Sequence, residues 1–331
     1  MKKICIAGIG NMGAVHFDRY QKLIADGEKI VVSGIFDKRK EMYDAAMAKC
    51  PEWNTRYYDD FDQMLEIEKP DAVDIVLPDR LHCEFVVRAL EAGVNVLCEK
   101  PMATTVEETQ KMLDTAKRTG KALMIAHCCR YMTTYDVLRE VVRSGRLGKL
   151  RMACFSRMSA LPSWSDENWL LKKDFSGGCL IDMHVHDIDI VQWLFGKPKA
   201  LSALAANLVK GSGYDSVTTM YRYDNAWVEI ESVWDLRGDG APFMAGYKAM
   251  FEKGTLLSVD GATTVYEVGK EPIVIPPDND RDGYYCEIRQ FIRILEGKAD
   301  VGTATEEAAE VIRTAKLEIE SAEQNGKWIE V

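Results

Sequence analysis

The chain lacks any long hydrophobic run that could cross a membrane. No stretch approaches the roughly 18 consecutive apolar residues that a spanning helix requires, so we expect no membrane partner. Lys2-Lys3 and the apolar run after them imitate the start of a signal peptide. The run stops at Asn11 and no small-residue cleavage site follows at the right distance, so we expect a cytoplasmic protein.

Dense basic segments are also missing, and the formal net charge is −10. An acidic chain without a basic patch has no electrostatic attraction for phosphate backbones or anionic lipid surfaces. We therefore expect neither a nucleic acid nor a membrane surface as a partner.

The nine cysteines follow no repeating spacing and are odd in number. Cys128 and Cys129 are adjacent rather than separated by two residues, so neither a redox motif nor a zinc motif is indicated. We interpret the cysteines as reduced thiols that serve as small hydrophobic residues. The 331 residues are 47% hydrophobic, which suffices for two domains with separate cores.

The segment KICIAGIGNMG, 3–13, contains G-x-G-x-x-G between a predicted strand and a predicted helix. Gly8 permits a tight turn, Gly10 lets a pyrophosphate approach the backbone, and Gly13 allows close packing of the helix on the strand. Asn11 and Met12 lie where the helix begins, and N–H groups at a helix start favour phosphate. The alternative is an accidental glycine turn; we predict a dinucleotide site formed by these five residues.

Residues 1–127 alternate between short apolar runs and amphipathic helical segments. Strands are predicted at 3–8, 30–36, 55–58, 72–77, 94–98 and 122–127. Such alternation predicts right-handed βαβ units and a doubly wound parallel sheet, the Rossmann arrangement. Two T-x-x-E capping boxes, Thr104 with Glu107 and Thr303 with Glu306, are predicted to begin helices.

Asp37 ends the second predicted strand, 24 residues after Gly13, where about 20 are expected before the ribose-binding acid. A carboxylate there accepts hydrogen bonds from the adenosine ribose and repels a 2′-phosphate, which favours NAD. Lys38 and Arg39 follow directly, so NADP stays possible. The alternative is that Asp37 only caps the helix beginning at Lys38.

Two further strand ends border the expected cofactor crevice, because ligands bind at the carboxyl edge of such sheets. The strand predicted at 72–77 is followed by Pro78 and His82. A packing or capping role for His82 is at least as plausible as a catalytic one. The second ends in Glu99-Lys100-Pro101, where Lys100 can hydrogen-bond a substrate oxygen and stabilise a developing alkoxide. The Lys100–Pro101 peptide is a candidate for the cis form.

The glycine turn, Asp37, L-P-x-x-x-H at 77–82 and E-K-P at 99–101 together resemble the glucose-fructose oxidoreductase / inositol dehydrogenase (Gfo/Idh/MocA) family. The resemblance runs the whole length of the chain. It implies a lysine beside the nicotinamide of NAD(P), with Pro78, His82 and Glu99 at the cofactor. It also implies a C-terminal domain with a large, mostly antiparallel sheet, and a homodimer or homotetramer.

Residues 128–331 lack the strict alternation of the first part and are predicted to form this second, α+β domain. Within it, 177–196 has a helical apolar pattern in which Asp182 and His186 are four residues apart and would share one face. A carboxylate beside a histidine makes a good general base. The resemblance assigns Asp182, His186 and Lys100 as the catalytic set.

Two alternatives apply to this segment. His184, His186 and Asp187 could suggest a metal site, but side chains two residues apart on a helix point about 200° apart, so we predict none. The second alternative is a structurally satisfied, buried histidine.

The resemblance also places Arg130 and Tyr284 in the substrate pocket, where a guanidinium suits hydroxyl groups or a carboxylate. Either residue could instead pack or form a salt bridge. Trp169 could shape the pocket or belong to the core.

The expected protein is an NAD-dependent dehydrogenase that oxidises a secondary hydroxyl of a cyclic polyol or sugar, with an inositol as the first substrate considered. One alternative is a sugar or glycoside C3 oxidoreductase on the same scaffold. Another is a non-enzymatic NAD-sensing regulator, against which the acid–base set of Lys100, Asp182 and His186 argues.

Overall fold

The computed structural model describes residues 1–238, 240–259, 261–278, 280, 282–302 and 304–331. The chain divides into two compact units. The first unit comprises Met1–Cys128 and Gly283–Ala309, and the second comprises Cys129–Asp282 and Glu310–Val331. The first unit thus includes Gly283–Ala309, which the sequence analysis assigned to the second domain. The predicted boundary after residue 127 stays a prediction.

The first unit begins with strands and helices in alternation: β1 Lys2–Ala7, α1 Asn11–Ala25, β2 Ile30–Phe36, α2 Lys40–Met47, β3 Arg56–Tyr58, α3 Phe61–Glu68, β4 Ala72–Ile75, α4 His82–Glu91, β5 Asn95–Glu99, α5 Val106–Thr119 and β6 Leu123–Ala126. The strands form one sheet in the order β3-β2-β1-β4-β5-β6, and every neighbouring pair is parallel. The strand order reverses between β1 and β4, which is where such sheets bind ligands. The predicted doubly wound parallel sheet is confirmed.

The strands of this sheet are apolar on both faces because helices cover both sides of a parallel sheet. In β1, Ile4, Cys5 and Ile6 are all 0% exposed. Asp74 in β4 is also 0% exposed, so a carboxylate lies inside an otherwise apolar layer.

The cap of α5 lies one residue later than predicted. Thr105, not Thr104, is the N-cap, and its hydroxyl accepts a hydrogen bond from the Glu108 N–H at 3.2 Å. Because Thr104-Thr105 is followed by Glu107-Glu108, a T-x-x-E pattern can be read at two positions one residue apart. Thr104 donates its hydroxyl to Glu108 Oε2 at 3.2 Å. The second predicted capping box rests on Thr303, which lies outside the described residues.

The rest of the chain forms these elements: α6 Thr133–Ser144, β7 Leu150–Ala160, α7 Lys173–Ser176, α8 Cys179–Asp182, α9 Val185–Phe195, β8 Ala200–Ala206, β9 Ser216–Arg222, β10 Trp227–Leu236, β11 Met244–Phe251, β12 Gly254–Val259, β13 Ala262–Glu267, β14 Ile273–Ile275, α10 Gly283–Leu295, α11 Ala304–Glu323 and β15 Ile329–Glu330. In the second unit, nine strands form a sheet in the order β14-β13-β12-β11-β7-β10-β9-β8-β15. Within this sheet, only the β7–β10 pair is parallel among the described strands. The predicted large, mostly antiparallel sheet is confirmed.

The alternating pattern of β10 shows how this sheet supports the site. Val228 and Ile230 are 0% exposed on one face, while Trp227, on the other face, is 47% exposed. The covered face packs against α8 and α9, which carry Asp182 and His186. None of the helices in the described ranges is both long enough and apolar enough to cross a membrane.

Candidate active site

The three glycines of the loop after β1 each meet a different steric requirement. Gly8 has φ +95°, and a Cβ there would lie 2.3 Å from the Val76 carbonyl oxygen. A Cβ on Gly13 would lie 2.2 Å from the Gly8 carbonyl oxygen. These two glycines therefore permit the close approach of β1, β4 and α1 that shapes the loop.

Unlike Gly8 and Gly13, Gly10 does not pack against a carbonyl group, so the backbone at Gly10 can be approached by a ligand. Among the described residues, a Cβ there would meet only Arg39 Nη2 within contact range, at 3.5 Å. Gly10 is the N-cap of the 15-residue α1 and provides no capping side chain; Asn11 and Met12 are the first helical residues. A helix N-terminus with this open approach fits an anionic pyrophosphate.

Gly8→Ala is expected to destabilise the protein by about 2–4 kcal/mol, because it adds both a backbone penalty and a clash with the Val76 carbonyl. The matched control is Gly27→Ala, since Gly27 has φ +98° but no atom within 4 Å of an added Cβ. The control variant should lose about 1–2 kcal/mol of unfolding free energy, which is the cost of the left-handed backbone conformation alone. Urea unfolding of the two variants measures the difference, and equal losses would contradict the steric argument.

Asp37 ties the end of β2 to the glycine loop. Its side chain is largely buried and accepts hydrogen bonds from the backbone N–H of Ile9 at 2.8 Å and of Arg39 at 2.9 Å. Arg39 Nε lies 3.5 Å from the same carboxylate. Because α2 begins at Lys40 without a side-chain cap, Asp37 does not cap it. The ribose role of Asp37 stays a prediction.

Glu99 belongs to a buried charge network that the sequence analysis missed. His16 Nδ1 lies 2.9 Å from Asp74 Oδ2, and His16 Nε2 lies 2.9 Å from Glu99 Oε1. Burial alone would lower the pKa of His16, but the charges and hydrogen bonds of Asp74 and Glu99 outweigh it and raise that pKa well above its usual value. Burial likewise opposes the ionisation of Glu99, but His16 lowers its pKa overall. His16 therefore bridges β4 and β5, and the two carboxylates favour its protonated form.

This network leads directly to Lys100. Glu99 Oε2 accepts the Lys100 backbone N–H at 2.9 Å, which holds the chain where it leaves β5. The Lys100–Pro101 peptide is cis, as the sequence suggested. The signal that could have revealed the network is Asp74, a charged residue in the middle of a strand that is otherwise apolar.

His82 joins the ends of β4 and β5. Its Nδ1 lies 2.7 Å from the Pro101 carbonyl oxygen and its Nε2 lies 2.8 Å from the Leu77 carbonyl oxygen. Burial lowers the pKa of His82, and a neutral imidazole carries one N–H, so it donates to one carbonyl at a time. Pro78 precedes the short 3₁₀ helix Asp79–Leu81 between β4 and α4. These contacts fix the E-K-P loop.

In the second unit, the predicted continuous helix over 177–196 is wrong. It is divided into α8, which ends at Asp182, and α9, which begins at Val185. The N–H of His184 bonds the Cys179 carbonyl and that of His186 bonds the Met183 carbonyl, so no ladder bond joins His186 to Asp182. The four-residue spacing alone therefore does not put these two side chains on one helical face.

His184 lies in the break between α8 and α9 and has tertiary contacts. Its buried side chain lies 2.8 Å from Ser232 Oγ and 3.2 Å from Glu318 Oε2. His186 Nδ1 lies 3.6 Å from Cys129 Sγ, and Asp187 accepts two N–H groups of Arg157. The three residues considered for a metal site thus face three different sets of partners.

Arg130 forms a buried ion pair. Its Nε donates to Asp189 Oδ2 at 2.8 Å and its Nη2 donates to Asp189 Oδ1 at 2.6 Å. The guanidinium also lies 5.4 Å from the centre of the Trp193 ring. The salt-bridge alternative for Arg130 accounts for these contacts, and its substrate role stays a prediction.

The other two residues expected at the substrate lie in different units. Trp169 packs against an apolar cluster in the second unit formed by Leu170, Cys179, Met183 and Trp234. Tyr284 lies in α10 of the first unit, with its ring centre 6.2 Å from that of His16. Contact of either residue with substrate stays a prediction.

Comparison with known families matches both parts of the chain. Residues 2–127 match the Gfo/Idh/MocA oxidoreductase family, NAD-binding Rossmann fold, and residues 135–257 match the Gfo/Idh/MocA C-terminal domain. The glycine loop and open helix start described above fit that cofactor.

Two curated relatives and one solved structure illustrate the similarity. D-glucoside 3-dehydrogenase of Escherichia coli (strain K12) is 34% identical over 180 residues, covering 54% of this chain and 51% of the relative. Levoglucosan dehydrogenase of Pseudarthrobacter phenanthrenivorans is 31% identical over 167 residues, covering 46% and 42%. The chain thus spans about half the length of the curated relatives it matches. A levoglucosan dehydrogenase complex with NADH and levoglucosan has a TM-score of 0.88 at 20% identity, covering 100% of this chain and 99% of that chain, which shows the shared fold.

Proposed function

Because the chain belongs to the Gfo/Idh/MocA oxidoreductase family, we propose that it oxidises a secondary hydroxyl of a sugar or glycoside with NAD. The observation that carries the proposal is the carboxyl edge of the first sheet. There the open glycine loop after β1 and the lysine directly after β5 lie on the two sides of β4. A dinucleotide cradle beside a lysine whose backbone is held in place suits hydride chemistry at an alcohol.

The substrate class follows from the named relatives. One relative is a D-glucoside 3-dehydrogenase and another a levoglucosan dehydrogenase, which favours the sugar or glycoside alternative of the sequence analysis. An inositol, the first substrate considered from the sequence, becomes the second candidate. The expected homodimer or homotetramer stays a prediction, which light scattering on the purified protein tests.

The residues that would hold NAD are those of the glycine loop. The N–H groups at the start of α1 would bind the pyrophosphate, and the remaining lone pairs of Asp37 would accept hydrogen bonds from the ribose hydroxyls. Bound there, the cofactor would supply a hydride acceptor for the oxidation of an alcohol.

The acid–base chemistry is assigned to three side chains. His186 takes the hydroxyl proton on its Nε2, Asp182 stabilises the imidazolium that results, and Lys100 stabilises negative charge on the substrate oxygen. Glu99 and His82 act through Lys100, because their contacts fix the backbone on both sides of it.

The test is absorbance at 340 nm with purified protein, NAD⁺ or NADP⁺, and a panel of glucose, xylose, several glucosides, levoglucosan and two inositols at alkaline pH. Reduction of NAD⁺ with a glucoside or levoglucosan is expected. Reduction with an inositol alone would return the substrate to the polyol class. Tight NAD binding without turnover of any member would favour the sensor alternative.

Asp37→Asn tests the cofactor preference. The amide keeps an oxygen for the Ile9 N–H and removes the charge that repels a 2′-phosphate. Its NH2 group no longer accepts from Arg39, which frees that guanidinium for a phosphate. The ratio of kcat/KM for NADP⁺ to that for NAD⁺ is expected to rise about tenfold or more. Asp44→Asn, an exposed carboxylate paired with Lys40, is the control. An unchanged ratio would mean that Asp37 does not face the ribose.

A further inference from the structure

Cys129 has a contact that neither the motifs nor the family comparison assigns. Its sulfur lies 3.6 Å from Nδ1 of His186, within the second unit. The same sulfur lies 3.6 Å from Arg157 Nη2. Cys129 is 1% exposed and its contact with Arg157 is buried, while His186 is half-buried.

The direction of the Arg157 contact is fixed by chemistry. A guanidinium has only donors, so the sulfur accepts there. The guanidinium is also anchored: its Nε and Nη2 donate to Asp187 at 2.8 and 3.0 Å. The second N–H of Nη2 is shared between the Tyr135 hydroxyl at 3.0 Å and the sulfur. A cationic N–H directed at a sulfur favours that sulfur as a hydrogen-bond acceptor.

A sulfur that accepts from a guanidinium is favoured as an acceptor toward a neighbouring imidazole as well. The hydrogen bond at one ring nitrogen of a histidine decides which nitrogen carries the proton. We propose that Cys129 is a positioning residue that holds His186 in the tautomer with its proton on Nδ1, so that Nε2 keeps its lone pair. The catalytic consequence, a base ready at Nε2, rests on the proposed function; the tautomer itself does not.

The difference from the sequence interpretation is the identity of the orienting group. The D-x-x-x-H motif assigns that role to Asp182, but the helix break removes the spacing argument for it. Cys129 contacts Nδ1 from outside this segment, where no local pattern could indicate it.

The test is nitrogen NMR of the full chain labelled with ¹⁵N-histidine, recorded at pH about 8.5, where a free imidazole is neutral. Couplings between ring nitrogens and ring protons identify the protonated nitrogen, and His186→Asn assigns the signal among the five histidines. The wild type is expected to show Nδ1–H with an unprotonated Nε2. Cys129→Ala is expected to lose this preference and Cys129→Ser, which keeps an acceptor, to retain it.

Cys154→Ala is the control, because Cys154 lies on β7 like Arg157 but contacts Glu229. A wild-type signal with a proton on Nε2, or an unchanged tautomer in Cys129→Ala, overturns the proposal. If Cys129→Ala does not fold, a shift of tautomer in Cys129→Ser overturns it and retention supports it.

Kinetics separate this inference from the proposed function. Cys129→Ala is expected to lower kcat by about 10–100-fold, the range for losing a partner that orients an imidazole, with KM unchanged and with Cys129→Ser restoring most of the rate. If His186→Asn leaves kcat unchanged, the proposed catalytic role fails while the tautomer result stands. If His186→Asn abolishes turnover while Cys129→Ala retains both tautomer and rate, only the present inference fails.

Discussion

Replacing Lys100 with methionine is expected to lower kcat by about 10²–10⁴-fold and to leave the Kd for NAD within about twofold of the wild type. Methionine keeps an unbranched apolar stem but has no charge with which to stabilise negative charge on the substrate oxygen. The backbone should not move, because the Lys100 N–H, and not its side chain, is the group that Glu99 Oε2 holds.

The measurement is steady-state turnover of the substrate that the panel identifies, with NAD affinity followed separately by calorimetry. Lys121→Met is the matched control, because Lys121 also lies next to a strand of the first sheet, before β6. A variant with normal kcat and weakened NAD binding would reassign Lys100 from the chemistry to the cofactor.

The local part of the site could be predicted from sequence. The glycine loop, the strand before it and the E-K-P turn follow from short-range steric rules, and each lies within a few residues of its predicted position. Gly8 and Gly13 are required because a Cβ at either would overlap a carbonyl oxygen. At Gly13 this oxygen belongs to Gly8, so the constraint is local in sequence. At Gly8 it belongs to Val76, which is distant in sequence.

The long-range part could not be predicted. His16 meets Asp74 and Glu99 across 58 and 83 residues of chain, and Arg130 meets Asp189 across 59. No spacing rule relates such positions.

The helix break at His184 shows the same limit, because here the local pattern predicts a structure that does not form. The apolar pattern of 177–196 predicts one helix, but two helices form, and His184 between them contacts Ser232 and Glu318 of β10 and α11. The local pattern carries no information about these long-range contacts.

His16→Ala is expected to destabilise the protein by about 3–5 kcal/mol near neutral pH, because it leaves Asp74 and Glu99 buried without the cation between them. The loss should depend on pH. The pKa of His16 is raised in the folded state, so its contribution is complete below the unfolded value of about 6.5 and is lost as pH rises through the folded pKa. The pKa of Glu99 is lowered, so its contribution is lost only as pH falls below about 4.3.

Urea unfolding of wild type and His16→Ala across pH 5–10 would measure this window, with the difference between them largest on the acidic side of the raised His16 pKa. A double-mutant cycle with Asp74→Asn should give a coupling of about 1–3 kcal/mol. A pH-independent difference, or no coupling, would mean that the imidazole packs as a neutral group. The outcome also bears on Lys100: Glu99 binds His16 through Oε1 and the Lys100 N–H through Oε2. An imidazolium that keeps Glu99 ionised therefore also fixes the point at which the proposed catalytic lysine leaves the sheet.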